Sequence, residues 1–131
     1  MPITRHFYAQ SNLVITKLSG LVDEVLMRSH LKAMNEEAAR FSALTELADC
    51  RDVEAGCRSV HELVEIAALE KGQLWAMDGR LVIVVSQPVA FGMARVYLAG
   101  NEGVRKDVHV TYSMEEAFTR LKIDPLLVGA L

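Results

Sequence analysis

The pentapeptide His61-Glu62-Leu63-Val64-Glu65 comes within one residue of a zinc-protease helix. In such a helix two histidines four apart on one face hold the metal and a glutamate acts as base. Here Glu65 stands where the second histidine belongs. A carboxylate can ligate zinc, but a third ligand and an open coordination position are also needed, and His6, His30 and His109 show no pairing. The segment therefore reads as a solvated helix face. Asp49, Asp52 and Glu54 form a second group, at the end of an expected strand. Carboxylates there can do acid–base or metal chemistry, because ligands favour the C-terminal edge of an α/β sheet. The same residues also cap helices and solvate loops, and no nucleophile or basic partner motif accompanies them. Asp49 is kept as a candidate contact residue, and so is Arg95. The Arg95 guanidinium could take an anionic group of a partner, or its stem could cover apolar surface.

Cys50 and Cys57, with six residues between them, match no common zinc or redox spacing and read as buried structural thiols. The chain carries no glycine-rich phosphate loop and no Gly-x-Ser-x-Gly elbow. No catalytic residue, metal or cofactor is expected.

These side chains must be held by one domain spanning residues 1–131. The hydrophobic share is 51% and the charged share 24%, which argues for a folded core. Aromatic residues make up only 6%, so Leu, Val, Ile, Ala and Met must fill that core. The net charge is −3 and basic residues form no stripe, which argues against phosphate neutralisation and nucleic-acid partners. Apolar runs such as Leu81 to Val85 are too short to span a bilayer, and Met1 to His6 has no signal-like apolar core. Together with the free thiols, this gives an expected cytoplasmic location.

Ile3 to Ala9 and Leu13 to Leu18 read as a hairpin across the turn Gln10-Ser11-Asn12. Ser19-Gly20 is expected to break the second strand. A helix is expected from about Leu21 to Arg40, with Met27, Leu31, Met34, Ala38 and Phe41 inward. Leu44 to Cys50 is the next strand, and Arg51 to Arg58 is expected as a loop. Ser59-Val60-His61-Glu62 has the form of a capping box opening a helix that buries Val60, Leu63, Val64, Ala67 and Ala68. Leu81 to Val85 is apolar on both faces and should lie inside the sheet. Pro88 opens a third helix, in which Gly92 is expected to mark close packing. Val108 to Tyr112 is the last strand, and Ser113-Met114-Glu115-Glu116 opens a fourth helix before the apolar tail Leu126 to Leu131. Trp75 reads as a local packing anchor. The order β-β-α-β-α-β-α-β-α implies an α/β fold with a mixed five-stranded sheet. If strands lie in sequence order, right-handed crossovers put about four helices mainly on one side. The apolar tail and the open sheet face lead to an expected homodimer.

Three segments carry a resemblance to the SpoIIAA-like branch of the STAS superfamily, the anti-sigma-factor-antagonist fold. They are Asp49-Cys50-Arg51-Asp52-Val53, Arg80 to Val85 with Pro88 to Tyr97, and Val108 to Tyr112 with Glu115-Glu116-Ala117-Phe118. Ala90-Phe91-Gly92-Met93-Ala94-Arg95 is the most specific part. The resemblance implies a non-enzymatic regulatory domain that docks a protein partner, which the sequence does not identify. It also places Ser59 roughly where family members carry a phosphorylated serine. The family's Asp-Ser-Ser-Gly-type motif is replaced here by Gly56-Cys57-Arg58-Ser59-Val60-His61, which favours an N-cap role for Ser59. The alternative is a binding protein for a small apolar or lipid-like ligand held between helices and sheet. An enclosed apolar pocket of at least about 300 Å³ distinguishes that carrier from a docking module with a packed core. An enzyme built on the carboxylates near Asp49 would instead show perturbed acids in a cleft.

Overall fold

Alternating apolar residues and a tight turn start the chain as a hairpin, and βα units continue it. The computed structural model describes residues 2–55 and 59–128. Within them run β1 (Ile3–Tyr8), β2 (Leu13–Leu21), α1 (Glu24–Glu37), β3 (Thr45–Ala55), α2 (Val60–Ala68), β4 (Arg80–Val84), α3 (Pro88–Gly100), β5 (Asp107–Thr111), α4 (Met114–Leu121) and α5 (Pro125–Val128). The five-stranded sheet has the order β1-β2-β3-β4-β5. β1 is antiparallel to β2, and the remaining pairs are parallel. The expected mixed α/β fold is the observed one, with α5 added in the tail.

Because strand order follows chain order, the crossovers α1, α2 and α3 share one face. Val14, Leu18, Ala48, Leu81, Ile83 and Val110 of the sheet meet Leu31, Met34, Leu63, Ile66, Ala94 and Leu98 of these helices. No crossover constrains α4, which follows the last strand. It lies on the opposite face, where Ala117 and Leu121, with Val128 of α5, cover Leu13, Ile15, Leu47, Val82 and Val84. Ser113 caps α4 by accepting from the Glu116 amide at 3.1 Å.

Several expected boundaries shift. β2 does not stop at Ser19-Gly20 but runs to Leu21 through two register shifts against β3. Gly20 at φ +71° supplies the left-handed backbone for this irregularity. The extended β2 gives β3 a partner beyond Asp49, so residues 51–55, expected as loop, are strand. Residues 56–58, Cys57 among them, lie outside the described residues. α1 is shorter than expected because Asp23 caps it, accepting from the Leu26 amide at 3.0 Å. α2 turns a different face inward: Leu63, Ile66 and Ala67 are buried, whereas Val60 and Val64 are exposed. Glu70, just past its end, continues the buried face, which an apolar count alone does not register. Trp75 is buried, and its indole N–H donates to Asn35 Oδ1 at 3.0 Å.

Close packing falls on Gly100, not Gly92. A Cβ at Gly100 would stand 2.7 Å from the Ala67 Cβ and 3.0 Å from the Val64 carbonyl oxygen, so its absence lets α3 approach α2. A Cβ at Gly92 would meet nothing within 4 Å. Gly100→Ala is therefore expected to cost about 1–3 kcal/mol in denaturant melts. Gly92→Ala should add up to about 1 kcal/mol through helix propensity. Equal effects of the two changes would refute this packing account.

Candidate functional site

The helix-covered face of the sheet is not filled. A cavity of ≈600 Å³ lies between β2, β3 and β4 on one side and α1, α2 and α3 on the other. Its walls are apolar: Leu18, Val22, Ala48, Leu81, Ile83 and Val85 from the sheet side, Met27, Leu63, Ala90, Met93 and Ala94 from the helices. Small side chains at Ala48, Ala90 and Ala94 leave the space. The exposed residues Glu54, Gln87 and Val89 line its outer end, at the C-terminal edge of β3 and β4. Open α/β sheets place ligands at that edge. The buried residues His30, Glu46 and Tyr97 line its inner end.

Behind those residues lies a buried ionic network. The Arg105 guanidinium, on the segment before β5, donates to Glu46 Oε1 at 3.0 Å and to Glu70 Oε1 at 2.8 Å. Its carbon also lies 5.0 Å from the Trp75 ring centre. Tyr97 donates its hydroxyl to Glu70, and Asn101 Nδ2 donates to the same carboxylate at 3.1 Å. The Thr16 hydroxyl donates to Glu46 Oε2 at 2.8 Å. Burial works against ionisation of Glu46, but the Arg105 charge and the Thr16 hydrogen bond outweigh it and hold the carboxyl below its ordinary value. For Arg105 the two carboxylates likewise outweigh burial and hold the proton firmly. Burial, then the negative charge of Glu70, pushes the Tyr97 hydroxyl well above its ordinary value. Burial is also the main reason His30 is lowered, with Glu46 pulling the other way and Arg5 and Arg105 reinforcing the shift.

The residues singled out in the sequence are not brought together here. Asp49 faces the opposite side of the sheet, buried, and accepts two hydrogen bonds at 2.9 Å from the Arg51 guanidinium. Those bonds overcome the effect of burial and keep its carboxyl below the ordinary range. Asp52 pairs with Lys17 at 3.7 Å, so of the three acids only Glu54 reaches the cavity. Ser59 caps α2, its hydroxyl accepting from the Glu62 amide at 3.1 Å. Glu62 does not complete the expected box. Its carboxylate pairs with Arg28 at 3.4 Å, and the Ser59 amide donates to Glu24 Oε1 at 3.3 Å instead. Arg95 is exposed on α3 and makes no hydrogen bond or ion pair among the described residues, although its neighbours Met93 and Ala94 line the cavity. His61 pairs with Glu65 at 2.8 Å on the surface. Among the described residues no three His, Cys, Asp or Glu side chains gather as a metal set. Cys50 lines the cavity, and burial, then Asp49 and Glu46, pushes its thiol up to about 12.

Sequence reasoning missed Glu46, Glu70, Arg105 and the inward His30. Glu70 had a legible signal, since it follows Leu63, Ile66 and Ala67 at helical spacing. Glu46 lies in a strand that also carries Asp49, Arg51, Asp52 and Glu54, so nothing local sets it apart.

The class of protein is then clear at the level of architecture: this is a SpoIIAA-like α/β fold. Two solved structures define the likeness. The anti-sigma factor antagonist SpoIIAA in its unphosphorylated form matches over 92% of this chain and 96% of its own, with TM-score 0.59 and 15% identity. A DUF3478-family protein of SpoIIAA-like fold from Shewanella loihica PV-4 matches over 91% of each chain, with TM-score 0.56 and 12% identity. No family model and no curated protein matches the sequence.

The lowered His30 sets a pH dependence. Its value in the folded chain lies below the ordinary 6.5, so the unfolded chain takes up a proton first. Stability therefore falls as pH drops through about 6.5. Melting temperatures between about pH 7.5 and 5.5 should decline, and His30→Gln should flatten the decline. Parallel curves for the two proteins would contradict the assignment.

Proposed function

We propose that this chain is a non-enzymatic binding module whose cavity takes a small, mainly apolar ligand. The cavity of ≈600 Å³ carries the reading. Its volume exceeds the roughly 300 Å³ expected of a carrier, it opens to solvent rather than being enclosed, and its walls are apolar with a few converging polar groups. Support for a role without catalysis comes from the chemistry of those groups. The Cys50 thiol is held protonated, Tyr97 is engaged by Glu70, and Glu46 is neutralised by Arg105. Asp49, the carboxylate on which an enzyme reading rested, is paired with Arg51 on the other face of the sheet.

The test is a fluorescent apolar probe, N-phenylnaphthylamine, whose emission rises on leaving water. The intact protein should bind it. Ala94→Leu, which puts a larger side chain into the cavity, should weaken binding by at least about tenfold while keeping the native circular dichroism spectrum. Unchanged affinity in a folded Ala94→Leu protein would defeat the cavity reading.

A second reading, a regulatory module that docks a protein partner in the cytoplasm, draws on the likeness to an anti-sigma factor antagonist. A local observation also favours it: Val60 and Val64, four apart on α2, expose an apolar stripe directly after Ser59. Self-association belongs to the same reading. Leu126 is 89% exposed and Leu127 50%, while Val128 anchors the tail beneath them. Light scattering at high micromolar concentration should give a dimer mass that Leu126→Ser with Leu127→Ser reduces to monomer. A monomer in the unaltered chain would remove the homodimer.

A further inference from the structure

The inner end of the cavity holds a donor and an acceptor placed for a single ligand atom. His30 Nδ1 lies 3.2 Å from an Arg5 guanidinium nitrogen. A guanidinium only donates, so Nδ1 must accept, and the ring proton resides on Nε2. That Nε2–H lies 3.9 Å from Glu46 Oε2, beyond hydrogen-bonding reach, and both residues line the cavity. His30 is buried, with only 5% of its side chain exposed. One oxygen atom at ordinary hydrogen-bond distance can touch both groups. It would accept from His30 and donate to Glu46.

The charges narrow the ligand further. Glu46 and Glu54 are the acids of the lining, and no lysine or arginine lines it among the described residues. Of the cations beside these two residues, Arg105 is committed to Glu46 and Glu70, and Arg5 to Glu37 and the far nitrogen of His30. A carboxylate or phosphate ligand could accept from His30 but would meet Glu46 without a counter-charge. An ammonium ligand would suit Glu46 but would present a donor to a donor at His30. An apolar ketone would use His30 and leave the Glu46 side of the gap unfilled.

Resting on the cavity reading above, we propose that the ligand is an uncharged apolar molecule ending in a hydroxyl group. Its oxygen bridges His30 Nε2 and the Glu46 carboxylate, and its body lies along the apolar walls toward Glu54 and Gln87. Such a ligand satisfies both His30 and Glu46 and leaves Tyr97 on Glu70 and the Arg105 network intact.

The test is competition against N-phenylnaphthylamine on the intact chain at neutral pH, with decanol, decanoate and decylamine below their aggregation limits. Decanol should displace the probe at least about tenfold more effectively than either charged compound, the scale of one well-made buried hydrogen bond. His30→Phe, checked for folding by its melt and with its own probe affinity titrated first, should lose the preference for decanol. Should His30→Phe fail to fold, His30→Gln, which keeps a side-chain donor, should retain the preference. Decanoate or decylamine binding as well as decanol would overturn the proposal while leaving the cavity reading standing. Displacement by none of the three, with the probe bound, would also overturn it. If the probe itself fails to bind, the cavity reading falls, and this proposal with it.

Discussion

Arg105 holds two carboxylates that would otherwise be buried without a counter-charge. Glu46 lies on β3, in the middle of the sheet, and Glu70 lies after α2 with no exposed surface. Taking either out of water is costly, and only a well-placed cation with further hydrogen bonds offsets the loss. Thr16 from β2, Tyr97 from α3, Asn101 just past its end, and the Trp75 ring complete the enclosure. The network therefore ties β2, β3, the end of α2, α3 and the approach to β5 at one place. Each element is constrained by the need to keep these charges matched, and the cavity opens directly in front of them.

That arrangement explains how an apolar cavity coexists with a stable domain. Helix contacts elsewhere are tight, as Gly100 against Ala67 and Val64 shows. Along the cavity the facing residues Ala48, Ala90 and Ala94 are too small to close the gap between sheet and helices. The polar end is rigid because each of its carboxylates already has partners. A rigid polar end and an apolar body are the usual division of labour in a ligand pocket, where few polar groups orient what apolar walls retain. At that end Glu46 is held ionised by Arg105 and Tyr97 keeps its proton.

The shared SpoIIAA-like architecture and the low identity of 12–15% describe a scaffold that accepts very different interiors. Fold alone does not assign an activity, because function resides in the site built on it. In this chain the candidate site is built from side chains on the crossover face. Ser59 is used locally, as the acceptor that satisfies a helix amide.

The sequence by itself determined the order of elements, the hairpin, the caps at Ser59 and Ser113 and the apolar character of β4. Each depends on neighbours a few residues away: alternation, a capping serine, a proline in a first helical turn. With strands in chain order, the handedness of crossovers then placed α1, α2 and α3 on one face. Only the tertiary structure decided the rest. β3 extends to Ala55 because β2 continues beside it, and no local pattern in Arg51-Asp52-Val53-Glu54 reveals a partner strand. α4 crosses to the other face because that surface was left apolar. The candidate site was legible only in fragments, as Ala90, Met93 and Ala94 lay within a segment already singled out. Glu46, Glu70 and Arg105 looked like ordinary charges because their burial and pairing join residues 35 and 59 positions apart. A cavity, being the absence of side-chain volume between distant elements, has no local signature at all.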